Sequence, residues 1–117
     1  MSPDEIVHEW LRAFNSGDAD AMVALYADEA IHTSPKLRTA QPATGGRLVG
    51  KAALRSWWLE TLASPPPIEY ELLTMTSSDH VAVIEYLRHR SGEPSLPVAE
   101  VFEIRDGKII RSHVYHG

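Results

Sequence analysis

The chain has 117 residues, 44% of them apolar, with a formal net charge of -5 and no cysteine. That length suits a single domain over residues 1–117, with a core of its own and no room for a second. The lack of cysteine excludes disulfides, thiolate nucleophiles and cysteine-ligated zinc. The acidic balance, with Lys and Arg scattered along the chain, argues against a nucleic-acid partner. No apolar run approaches the roughly 18 residues of a membrane span, and the first residues lack the charged-then-apolar layout of a secretion signal. The expectation is a cytoplasmic protein with neither nucleic acid nor membrane as partner.

In chain order, Ser2-Pro3-Asp4-Glu5 is a capping box with proline at the first helical position. Ile6, Val7, Trp10, Leu11 and Phe14 follow at three- and four-residue steps, a buried stripe on a helix to about residue 15. Gly17 ends it, and Asp18 caps a second helix at about 19 to 26, with Met22, Val23, Leu25 and Tyr26 as its apolar positions. Ile31 opens a short extended run that carries His32 and stops at Pro35. Residues 35 to 49 show no periodicity and read as a long loop, a lid or a passive connection. Lys51 to Leu62 is a third helix with Leu54, Trp57, Trp58 and Leu62 inward, ended by Pro65-Pro66-Pro67. Four strands are predicted at about 68 to 77, 80 to 90, 97 to 105 and 108 to 116, with turns at Ser77-Ser78-Asp79 and Ser91-Gly92-Glu93-Pro94. Three helices followed by consecutive strands predict an α+β fold, a curved, mostly antiparallel sheet wrapping helices on one face.

The last hairpin decides which polar groups share a face. A two-residue turn at Asp106-Gly107 pairs Glu100 with His113, whereas a three-residue loop with Gly107 as a bulge pairs it with Ser112. The bulged form needs positive φ only at glycine and sets Val98, Glu100 and Phe102 beside Ile110, Ser112, Val114 and His116. It is the preferred register.

The stretch from Gly17 to His32, the Gly50-Lys51-Ala52-Ala53-Leu54 helix start and the Arg105-Asp106-Gly107-Lys108-Ile109 turn resemble the nuclear-transport-factor-2-like superfamily. Its members are cone-shaped α+β domains that include ketosteroid isomerases and SnoaL-like polyketide cyclases. The resemblance implies that Trp10 stands where the isomerases carry an oxyanion-hole tyrosine, Ser34 where they carry an aspartate base, and Glu100 where they carry a protonated aspartic acid. Tyr26 and Trp58 match two pocket tyrosines. One acid is retained while the base and the phenol are lost, which argues against steroid isomerisation itself.

Strand periodicity puts His32 and Ser34 on one face, and a histidine titrating near ~6.5 is a natural substitute base. The alternative is a half-buried histidine bonded to a neighbouring hydroxyl. Glu100 is an acid between Val98 and Phe102, where burial would keep it protonated. The alternatives are an outward-facing residue or a structural partner of Arg88 or His32. His80, His89, His113 and His116 lack zinc-site spacing, so no metal and no cofactor are expected. The expected cavity is lined by Trp10, Tyr26, His32, Ser34, Trp58, Glu100, Phe102 and His116. With no Lys or Arg assigned to it, it is expected to take a neutral, apolar metabolite. The function expected is cofactor-independent acid/base chemistry of isomerase, cyclase or hydratase type on a carbonyl compound, with Glu100 as acid and His32 as base. A non-catalytic binding module and a dimerisation module are the alternatives. A homodimer through Val81, Val83, Leu87, Ala99, Val101 and Tyr115 on the outer sheet face completes the reading.

Overall fold

The computed structural model describes residues 1–116. Helix α1 (Pro3–Asn15) starts on the capping box, Ser2 Oγ accepting from Glu5 N and Glu5 bonding back to Ser2 N. It buries Ile6, Val7, Trp10, Leu11, Ala13 and Phe14, the apolar stripe. Helix α2 (Ala19–Val23) is capped by Asp18 and ends earlier than its pattern suggests, because Tyr26 already belongs to strand β1 (Tyr26–Thr33). Residues 35 to 49 are ordered into helix α3 (Pro35–Ala40), a 3-10 turn (Pro42–Thr44) and strand β2 (Arg47–Val49). The expected long loop is therefore corrected. The elements are too short to show a period, and their signals are local: Ser34 caps α3, and Pro35 and Pro42 each open a helical turn. Helix α4 (Lys51–Ala63) precedes strands β3 (Ile68–Ser77), β4 (Val81–Arg90), β5 (Leu96–Arg105) and β6 (Lys108–His116).

The six strands form one sheet in the order β2-β1-β6-β5-β4-β3, antiparallel except for β1 against β6. The α+β expectation holds, with α3 and the 3-10 turn added to the three anticipated helices. Along β4, Ala82, Ile84, Tyr86 and Arg88 are buried while Val83 and Glu85 are exposed, so the even positions face the helices. Among the described residues no helix is long and apolar enough to cross a membrane.

The last hairpin follows neither of the two expected routes. Asp106 (φ 53°) and Gly107 (φ 73°) both take positive φ, as the two-residue I′ turn requires, and Arg105 pairs with Lys108. Aspartate is one of the few residues besides glycine that enter this region. The extra residue sits instead inside β6: Ile104 pairs with Ile109, but Glu103 pairs with Arg111. This bulge at Ile110 lets Ile109 and Ser112 both be buried. Glu100 lies opposite Val114 rather than the Ser112 of the preferred register, and Phe102 opposite Ser112, so the pairing is corrected while Glu100 still shares its face with Ser112, Val114 and His116.

Candidate functional site

Glu100 stands at the centre of the inner sheet face, between Ile84 on β4 and Val114 on β6, and is fully buried. Burial among such neighbours penalises the charged carboxylate and raises its pKa to about 8, with the hydrogen bond from Tyr86 opposing in part. Tyr86 Oη donates to Oε1 at 2.8 Å, while Oε2 has no partner among the described residues. Glu100 is thus a neutral carboxylic acid at pH 7 with one oxygen uncommitted. Trp58 Nε1 is likewise buried without a partner.

A second polar line runs from α1 through β6 to β1. Trp10 Nε1 donates to Tyr26 Oη at 3.1 Å, Tyr26 Oη lies 3.1 Å from Ser112 Oγ, and Ser112 Oγ lies 2.7 Å from His32 Nδ1. An indole can only donate, and the arrangement in which each hydroxyl proton of the line finds an acceptor runs toward His32. Tyr26 accepts from Trp10 and gives its proton to Ser112, and Ser112 gives its own to His32 Nδ1. The reverse order would strand the Tyr26 hydroxyl proton. His32 therefore carries its own proton on Nε2, the ring nitrogen left for a ligand. Burial also holds its pKa down at about 3, with the nearby His113 adding to the effect, so the ring is neutral throughout the physiological range. In that tautomer the free nitrogen presents an N–H rather than a lone pair, which speaks against the expected base role of His32.

A cavity of about 310 Å³ opens between α4, α3 and the inner sheet face. Of the expected lining residues it brings together His32, Ser34, Trp58, Glu100 and His116. Trp10, Tyr26 and Phe102 do not reach it. Trp10 is fully buried beneath, its ring 5.1 Å from Phe102, 6.0 Å from Trp58 and 6.1 Å from Phe14. These three are core, and Trp10 and Tyr26 act on the site only through the hydrogen-bond chain. Ser34 lines the cavity, but its Oγ is occupied as the cap of α3, accepting from Leu37 N at 3.4 Å.

Further residues line the cavity, of which Tyr70, Arg88, Lys36 and Arg90 were not placed there by sequence reasoning. Tyr70 and Tyr86, with ring centroids 4.3 Å apart, form an aromatic wall beside Glu100. Tyr70 alternates with Ile68 and Leu72, and that parity was the available signal. Arg88 continues the inward parity of β4, and Lys36 follows Pro35 on α3. Together with Arg90 they line the cavity, which corrects the expectation that no Lys or Arg faces it. Burial, with Lys36 and Arg88 adding positive charge, holds the His116 pKa below the usual histidine range. Among the described residues no group of three His, Cys, Asp or Glu side chains is placed to hold a metal.

Residues 7–112 match the family model of the SnoaL-like domain. A SnoaL-like protein of unknown function from Burkholderia thailandensis superposes with a TM-score of 0.84 at 24% identity, covering 97% of this chain and 93% of that one. A candidate polyketide cyclase from Sinorhizobium meliloti gives 0.77 at 23% identity over 95% and 94%. An NTF2-like protein of unknown function from Cytophaga hutchinsonii gives 0.80 at 14% identity over 100% and 91%. At these identities the likeness is one of fold. No curated protein matches the sequence significantly.

Proposed function

This chain belongs to the SnoaL-like domain family, and on that premise we propose that it is a cytoplasmic, cofactor-independent enzyme of isomerase, cyclase or hydratase type acting on a carbonyl-containing metabolite. The observation that carries the reading is Glu100: a buried, neutral carboxylic acid with Oε1 held by Tyr86 and Oε2 uncommitted. Such an acid gives its proton to a carbonyl oxygen as the α-proton leaves to the neutral imidazole of His116, which lines the same cavity, and the carboxylate that remains takes the first proton back as His116 returns the other to carbon in the product. The His32 Nε2–H and the unpaired Trp58 indole N–H belong to lining residues and are suited to the same developing charge.

The test is α-proton exchange in D2O, followed by NMR, over a panel of linear, cyclic and 1,3-dicarbonyl ketones. At least one ketone should exchange faster with the protein than in buffer, and Glu100→Gln should slow that exchange about 100-fold. Exchange unchanged by Glu100→Gln would remove it from the mechanism. A second reading, a binding module using the same cavity without turnover, is favoured by one observation: the chain that makes His32 a donor takes the expected base out of service. Saturable binding of ketones with no exchange across the panel would select it.

A further inference from the structure

Of 11 Lys and Arg in an acidic chain, Lys36, Arg88 and Arg90 all line one cavity. Only Glu60 and the protonated Glu100 stand among its lining carboxyls. The cavity thus runs against the sign of the molecule. Arg88 is 8% exposed, and its Nη1 lies 3.0 Å from Glu93 Oε1 while Arg90 Nε lies 3.7 Å from Glu93 Oε2. One carboxylate, carried by the turn between β4 and β5, is therefore shared by two guanidinium groups. The Arg90 guanidinium also donates to the carbonyls of Pro66, Ser64 and Pro65, which fixes it in place. No carboxylate lies within 4 Å of the Lys36 ammonium among the described residues.

We infer that the ligand of this cavity is itself a carboxylic acid, an amphipathic oxo acid whose carbonyl reaches Glu100 and whose carboxylate is taken by Arg88 and Lys36, displacing Glu93. Guanidinium forks recognise carboxylates in a paired geometry, and the bond to Glu93, itself outside the cavity lining, shows that the Arg88 guanidinium takes a carboxylate. The aromatic wall of Tyr70, Tyr86 and Trp58 accounts for the apolar body between the two ends. A protonated Glu100 is what allows an anion to enter at all, because an ionised one would repel it. The inference rests on the carbonyl-pocket reading and adds a charge to its ligand.

The test uses 4-oxo-4-phenylbutanoate and its primary amide, which share the ketone and differ at the far end, titrated against tryptophan emission and heat of binding. The carboxylate should bind about tenfold tighter than the amide, with the margin shrinking as salt rises. Lys36→Gln, at an exposed helix position, should weaken the carboxylate about threefold and leave the amide unchanged. Glu93→Gln removes the internal competitor and should tighten the carboxylate several-fold, again sparing the amide. An amide bound as tightly as the carboxylate, or a Glu93→Gln variant that does not gain, overturns the inference while the carbonyl pocket stands. Absence of saturable binding of either probe up to about 10 mM, weaker than any specific site, overturns both.

Discussion

Glu100 and His32 prefer their neutral forms for the same reason, burial, yet they bend the stability curve in opposite directions. Glu100 is raised from 4.5 to about 8, so its contribution is fully present below 4.5 and is lost as pH rises towards 8. His32 is lowered from 6.5 to about 3, so its contribution is present above 6.5 and is lost as pH falls towards 3. Replacing Glu100 with Gln should therefore make the protein relatively more stable at pH 8.5 than at pH 5, compared with wild type. Urea midpoints at the two pH values measure this, and an offset that does not change with pH would contradict it. The hydrogen-bond chain makes a separate prediction. Nitrogen-15 shifts should show His32 protonated at Nε2, and Ser112→Ala should cost about 1–3 kcal/mol by leaving the Tyr26 hydroxyl unpaired. The added cost should be smaller in a Tyr26→Phe background, where the Tyr26 share is already gone and only the bond to His32 Nδ1 is lost. Glu100 was legible because an acid interrupts an apolar alternation. Arg88 and Tyr70 obey the same parity rule and were available to it. Trp10, Tyr26 and Phe102 show its limit, since periodicity tells which side of an element faces inward but not whether a side chain ends in the core or at a cavity wall.

Strand and helix boundaries were clearest where a long period meets a proline or a turn residue. The ends of β3 to β6, and of α1 and α4, match their patterns within a residue or two. The segment from 35 to 49 was not legible because its three elements, six, three and three residues long, are shorter than the window a period needs. Its shape depends on two adjacent glycines that a substitution can tell apart. Gly45 (φ 66°) has open space where a Cβ would be, whereas at Gly46 (φ 81°) a Cβ would meet Arg38 Cβ at 3.0 Å and the Ser34 carbonyl oxygen at 3.2 Å. Gly45→Ala should cost about 1 kcal/mol for backbone conformation alone. Gly46→Ala should cost about 2–3 kcal/mol because overpacking is added. Equal losses in thermal unfolding would show that the close approach of α3 to the chain before β2 contributes nothing. The final hairpin teaches a related lesson. Sequence weighed a glycine bulge against a tight turn, and the fold uses the tight turn with the bulge three residues later, at Ile110, where the burial of Ile109 and Ser112 decides it.

On the scale of the molecule, the outer sheet face presents Val83 and Tyr115 at 37% and 58% exposure, beside the half-buried Val101 and Ala99. These are members of the surface expected to pair two copies. Light scattering at micromolar concentration should give about twice the 13.0 kDa mass of one chain, and Val101→Glu should halve it by placing a charge in that face. A monomer mass for the wild type would dismiss the dimer. The strand order carries one last consequence. β6 lies between β1 and β5, yet follows the other five strands of the sheet in sequence. Until β6 is made, β1 with β2 and β3 with β4 and β5 can pair only as two half-sheets, each with an open hydrogen-bonding edge where β6 belongs. Neither half can close the other's edge without it. A chain truncated after Arg105 should therefore aggregate rather than fold, and adding residues 106–116 back as a separate peptide before aggregation should rescue solubility by strand complementation.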